Sequence, residues 1–204
     1  MPADDRIGRV ILLNGAPSSG KTTIARALQE VLDPPHWYRS LDDFRKGYLD
    51  RHLESSRGPW WTTTDRTLFE LVLRGYLRAL REMALVGNHV ISEAVILPAS
   101  LGLYLEAFSR VPVLLIAVRC PLPVAERRER ERTDRHLGRP IELAVPEFDL
   151  VHSHGAYDAE VDTSVTSVAD SVAAIVALVA APPSPTAIER LANRRNGGPA
   201  SSTT

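Results

Sequence analysis

The chain has 204 residues, 44% of them hydrophobic and 24% charged, which suits one domain with a buried core. Its 24 basic and 25 acidic side chains leave a net charge of −1, with no basic excess to hold a nucleic-acid backbone, and the single cysteine, Cys120, excludes an internal disulfide. No stretch reaches the roughly 18 consecutive apolar residues of a membrane span, and Met1–Arg9 lacks the apolar core of a signal peptide, so a cytoplasmic protein without membrane or nucleic-acid partners is expected.

Val10-Ile-Leu-Leu13 is an apolar run closed by Asn14-Gly15, a buried strand entering a turn. Ile24, Leu28, Val31 and Leu32 then recur on one helical face until Asp33-Pro34-Pro35 stops the helix. Trp37 to Leu41 reads as a weak strand ending at Asp42-Asp43. Residues 44–64 show no period and read as an irregular insert. From about Asp65, a helix carries Leu68, Leu71, Val72, Gly75, Ala79 and Met83 along one side, with Gly87 as its C-terminal cap. Val90-Ile91 forms a short strand ending at Ser92-Glu93, and a helix follows over 100–109. Val111 to Val118, apolar and uncharged, suits a central parallel strand covered on both faces. A charged helix over Pro123 to Arg135, a strand over Ala159 to Thr163 and a helix over Ser167 to Ala180 complete the pattern. Strands alternating with helices predict an α/β sandwich with a mostly parallel sheet. A single domain over 1–181 is expected, with a disordered tail over 182–204 rich in Pro, Ser, Asn and Gly.

The first turn carries the chemistry. Gly15-Ala16-Pro17-Ser18-Ser19-Gly20-Lys21-Thr22, with Thr23 beside it, matches G-x-x-x-x-G-K-[ST] in full. Glycines let successive backbone N–H groups converge on one anion, and the following helix aims its positive end at the same point. Lys21 reaches the β- and γ-phosphates of a nucleoside triphosphate, and the Thr22 hydroxyl is a ligand for Mg²⁺. ATP and Mg²⁺ are the expected cofactors.

Acids at strand ends supply the other half of a transfer reaction. In open parallel sheets, ligands sit beyond the carboxyl ends of the strands, where Asp42, Asp43 and Glu93 fall. Asp42 is the candidate base for an acceptor hydroxyl, with Asp43 as its alternative. A helix-capping pair is the bland reading of both. Glu93 is the candidate for the outer metal shell or for substrate binding. Arg128, Arg132 and Arg135 share one face of the charged helix and suit a lid over about 126–142 that neutralises charge on the transferred group. A solvated helix laced by pairs such as Glu126–Arg130 is the competing reading. Trp60 and Trp61 either stack on a flat acceptor or anchor a loop. His152 and His154 have no Cys or acid at metal-ligand spacing, so hydrogen bonding suits them better than zinc, and Tyr157 and Asp162 read as structural.

These features together resemble the chloramphenicol phosphotransferase family of P-loop kinases. The resemblance runs through Ile11-Leu-Leu-Asn-Gly15 into the phosphate loop and through Leu28-Gln-Glu-Val-Leu32. It continues through Val118-Arg-Cys120, Val124-Ala-Glu126 with the arginine helix and Asp134-Arg135, then Val151-His152 and Tyr157-Asp-Ala-Glu-Val-Asp-Thr163. It implies a nucleoside-monophosphate-kinase-like fold: three α/β/α layers, a five-stranded parallel sheet and a helical lid. It implies ATP-dependent phosphorylation of a hydroxyl on an antibiotic, hence self-resistance, with Asp42 as base and the clamping arginines among Arg128, Arg132 and Arg135. Residues 44–64 and Glu93-Ala94 depart from the family pattern. The acceptor therefore stays open between chloramphenicol and a nucleoside or sugar-bearing antibiotic. The rival from another class is a nucleotide-dependent switch protein with no small-molecule acceptor, and an assembly of identical chains stays open.

Overall fold

The computed structural model describes residues 7–45, 63–131, 148 and 150–196. Trp60, Trp61, Arg132, Arg135 and the distal part of the expected lid lie outside them. Five parallel strands form one sheet: β1 (Val10–Asn14), β2 (His36–Arg39), β3 (His89–Ala94), β4 (Val113–Arg119) and β5 (Ala159–Asp162), in the order β2-β3-β1-β4-β5. The helices bounded within the described residues are α1 (Lys21–Val31), α2 (Leu41–Arg45), α3 (Thr63–Leu85), α4 (Pro98–Ala107), α5 (Leu122–Arg130), α6 (Val168–Ala180) and α7 (Ala187–Asn196).

The apolar run at β1 has a physical explanation in the layers. Side chains alternate along a strand, so Val10 and Leu12 face α3, α4 and α7, packing with Leu73, Leu77, Leu80, Phe108 and Ile188. Ile11 and Leu13 face α1 and α6, packing with Ile24, Leu28, Val172 and Ile175. Both faces are covered, so every position is apolar. Because all five strands run the same way, the ends of β1, β2 and β3 open on one edge. That edge carries the phosphate loop, the start of α2 and the end of β3.

Local chemistry sets the boundaries. Gly87, at φ 96°, ends α3: Gly87 N donates to Ala84 O at 2.9 Å and Asn88 N to Met83 O at 2.9 Å, closing the last turn as the sequence predicts. Ser167 opens α6 by accepting from Asp170 N. Pro112 shortens the expected 111–118 strand, and β4 starts at Val113.

Two expectations are corrected. Asp42 and Asp43 do not end a strand: β2 stops at Arg39, and both acids stand in the first turn of α2. The cause is Ser40, whose hydroxyl accepts from Asp43 N at 3.1 Å and donates to Asp43 Oδ2 at 2.8 Å. The second correction concerns the tail. Residues 187–196 form α7, with Ala187, Ile188 and Leu191 buried in the core. The Asp158 carboxylate joins this helix to the sheet by accepting from Leu115 N at 2.8 Å and Ala187 N at 2.6 Å. Burial pushes the Asp158 carboxyl up, and the two N–H donors oppose that shift.

Candidate active site

The phosphate loop leaves β1 at Asn14 and enters α1 at Lys21. A Cβ on Gly15 would stand 2.3 Å from Val118 O and 2.7 Å from Ser19 Oγ, so only glycine fits the approach of the loop to β4. The helix N-cap is Gly20, with no side-chain cap bond. The first-turn N–H groups of α1 are thus without a side-chain acceptor at the cap, which leaves them for an anion. Lys21 is buried, and its ammonium donates to Gly15 O at 2.8 Å and Ala16 O at 2.7 Å. The loop curls around the head of its own lysine.

Next to Lys21, the Thr22 hydroxyl donates to Glu93 Oε2 at 3.1 Å. The Tyr38 hydroxyl donates to Glu93 Oε1, so both carboxylate oxygens have a partner. Burial and the adjacent Glu93 carboxylate push the Tyr38 phenol well above its ordinary value, so it remains a proton donor. The sequence reading missed Tyr38 because it lies in a weak strand with no motif. Only the pairing of β2 with β3, which sets Tyr38 beside Ile91 two residues before Glu93, shows its proximity. Asp42 is exposed on the same edge of the sheet.

Arg128 stands beside the phosphate loop. Its guanidinium donates to Thr163 Oγ1 and Thr163 O, both at 2.8 Å, and the Thr163 hydroxyl contacts Ser19 O at 2.8 Å. Glu129, its neighbour, accepts from the Ser18 hydroxyl. The C-terminal end of α5 is therefore tied to the phosphate loop directly through Glu129 and, by way of Thr163, through Arg128. Arg128, Gly20, Thr23, Thr163, Thr166 and Ser171 line a cavity on the α6 side of the loop. Among the described residues, Ser171 Oγ has no hydrogen-bond partner there, although it is buried.

On the opposite face, Asn14 donates to Val151 O and to the Tyr157 hydroxyl, which pairs with His152. Burial, then Arg119, holds both His152 and His154 below the ordinary histidine value, His152 at about 4. Among the described residues, no group of three or more His, Cys, Asp or Glu could hold a metal, and no helix is long and apolar enough to cross a membrane.

The sequence profile of the chloramphenicol phosphotransferase-like proteins matches residues 8–180. The chain belongs to that family. As a member it is a P-loop phosphotransferase, a kinase that uses a nucleotide. Two Mycobacterium tuberculosis proteins (strains CDC 1551 / Oshkosh and H37Rv), both named "Putative O-phosphotransferase", are 29% identical to it over 204 residues, covering 92% of this chain and 89% of theirs. The fold is shared more widely. An APS kinase of M. tuberculosis in complex with AMPPNP and APS superposes with a TM-score of 0.61 at 18% identity, covering 86% of this chain and 99% of its own. A gluconokinase of Sinorhizobium meliloti gives 0.58 at 17%, over 94% and 97%. A tunicamycin resistance protein of Deinococcus radiodurans gives 0.57 at 17%, over 86% and 99%.

Proposed function

We propose that this family member is an ATP-dependent O-phosphotransferase that phosphorylates a hydroxyl of a small molecule, with an antibiotic as the leading acceptor class. The observation that carries the reading is the alignment of Lys21, Thr22 and Glu93 on one edge of the sheet, with Asp42 on the first turn of α2 beyond the neighbouring strand. The antibiotic class draws support from the family description and from the fold shared with a tunicamycin resistance protein.

The polyphosphate lies in the loop from Gly15 to Thr22, against Lys21 and the first turn of α1. The nucleoside extends into the adjoining cavity, where Arg128 and Thr163 form one wall and the Ser171 hydroxyl offers an unused hydrogen bond. This assigns Arg128 to the nucleoside and leaves charge neutralisation at the transferred group to Lys21 and to Arg132 and Arg135. The Thr22 hydroxyl and the Glu93 carboxylate form an all-oxygen donor set suited to Mg²⁺, one directly and one through water. When bound, the ion supplies neutralisation of charge on the β- and γ-oxygens. Tyr38 holds Glu93 turned toward Thr22. Asp42 accepts the proton of the acceptor hydroxyl, whose oxygen attacks the terminal phosphorus as the bond to the ADP oxygen breaks.

The test is an ATP-consumption screen across hydroxylated antibiotics, chloramphenicol and nucleoside antibiotics included, with mass detection of a product heavier by one phosphoryl group. Slow ATP loss alone and fast loss with one alcohol support the reading. Nucleotide-dependent binding of a protein partner with no phosphorylated product overturns it in favour of a switch.

A further inference from the structure

Ser18 stands midway along the phosphate loop, between Gly15 and Gly20. Among the described residues it is the one non-glycine residue with a positive φ, 57°, and Gly20 stands at 95°. Left-handed backbone turns successive N–H groups toward one point and makes the concave anion seat of such a loop. Serine seldom adopts that conformation, and such outliers gather at ligand sites.

In the free protein Ser18 holds a carboxylate. Its hydroxyl donates to Glu129 Oε2, 111 positions away in the last turn of α5. A second tie keeps this end of α5 in place. Arg128 donates to Thr163 Oγ1 and Thr163 O, each at 2.8 Å, and Thr163 Oγ1 contacts Ser19 O at 2.8 Å. Thr163 Cγ2 would stand 3.3 Å from a Cβ on Gly20. The end of α5 thus rests on Ser18 directly and on Ser19 and Gly20 through Thr163.

A loop shaped to attract anions therefore carries a negative side chain on its own hydroxyl. Of the cations in these contacts, Arg128 is bonded to Thr163, and the Lys21 ammonium donates to Gly15 O at 2.8 Å and Ala16 O at 2.7 Å. A phosphate oxygen held by the Ser18 N–H would stand about 3 Å from that nitrogen, and the Glu129 carboxylate is one hydrogen bond beyond the side chain of the same residue. The two anions would be at most about 9 Å apart, inside the screening length of roughly 10 Å at about 0.1 M salt, so they repel. The repulsion grows with the charge of the ligand. A bare polyphosphate brings the most. In a magnesium nucleotide the metal cancels part of it, and the nucleoside adds contacts in the cavity lined by Arg128 and Thr163.

We propose that Glu129 is a specificity-determining residue, a charge gate on the phosphate loop: its carboxylate on Ser18 rejects ligands that bring phosphate charge alone and yields to the magnesium nucleotide. The inference rests on the nucleotide reading above and adds a selection step to that site. The gate weakens anion binding, whereas a merely structural tie between α5 and the loop would strengthen it.

The test is calorimetry of two ligands, metal-free tripolyphosphate and magnesium AMPPNP, on the full chain, for the native protein, Glu129→Gln and Glu129→Ala. Glu129→Gln keeps an acceptor for the Ser18 hydroxyl and removes the charge. It is expected to bind tripolyphosphate about tenfold more tightly than the native protein and magnesium AMPPNP no more than about threefold more tightly, so selectivity for the nucleotide falls. Tripolyphosphate binding that is measurable only in the variants is the same result. Glu129→Ala, in a helical turn that alanine favours, is expected to show the same order and decides the matter if the amide variant fails to fold. Unchanged or weaker tripolyphosphate binding in the variants overturns the gate and leaves a structural tie, while the nucleotide reading stands. An equal gain for both ligands overturns the selectivity. No binding of magnesium AMPPNP by the native protein overturns the nucleotide reading and this proposal with it.

Discussion

Thr22 Oγ1 donates to Glu93 Oε2 at 3.1 Å, across the gap between the first turn of α1 and the end of β3. The two residues are 71 positions apart and meet because β1 and β3 pair in parallel with Leu13 opposite Glu93. Glu93→Gln keeps the shape and removes the charge. The magnesium concentration for half-maximal ATP turnover is expected to rise about tenfold, with a smaller change in nucleotide affinity. A magnesium titration of both proteins checks this; an unchanged requirement removes Glu93 from the metal shell.

Asp42→Asn is expected to lower phosphoryl transfer by roughly 10²–10⁴ while the dissociation constant for ATP changes by no more than about twofold. Asp43→Asn acts differently, because Asp43 belongs to the Ser40 cap, and its main effect is on stability, by about 0.5–1 kcal/mol. Equilibrium binding beside steady-state kinetics separates the two residues.

Arg128→Ala is expected to weaken ATP binding about tenfold, or roughly 1.4 kcal/mol, while tripolyphosphate binds almost as well as before. The contrast follows from the position of Arg128 on Thr163 in the cavity beside the loop. Competition binding with the two ligands measures it. Equal losses for both would return Arg128 to the phosphates.

Truncation after Ala181 removes α7 and uncovers the core contacts of Ile188 and Leu191, together with the Asp158–Ala187 bond. At about 1.5–3 kcal/mol for each large side chain, the expected loss is roughly 3–6 kcal/mol. Urea denaturation of the shortened chain checks it, and an unchanged midpoint would mean that α7 is dispensable.

Acid should destabilise the protein. His36, His89, His152 and His154 are all held below the ordinary value of 6.5, mainly by burial. The unfolded chain binds these protons at higher pH than the folded one. Stability is therefore complete above 6.5 and falls as the pH drops toward the folded values. Denaturation midpoints at pH 7.5 and 5.5 are expected to differ, and His36→Gln to flatten the difference; a midpoint that rises toward pH 5.5 contradicts the sign.

The β1 strand, the phosphate loop and α1 were legible in the sequence because each obeys a local rule: a continuous apolar run, a glycine spacing, a period of 3.6. The cap at Gly87 was legible for the same reason. Asp42 was misplaced by a boundary that Ser40 decides through one hydroxyl. The composition of residues 182–204 concealed α7, whose two main apolar anchors, Ile188 and Leu191, stand out only against a sheet face that needs covering.

By itself the sequence determined the class of fold and the seat of the phosphates, since both depend on residues close together in the chain. Tertiary structure alone decided which distant side chains complete that seat. Tyr38 with Glu93, Arg128 with Thr163, and Asn14 with Tyr157 and His152 all meet through strand pairing and helix docking. A hydrogen bond depends on separation in space to a few tenths of an ångström, and no local pattern encodes that separation.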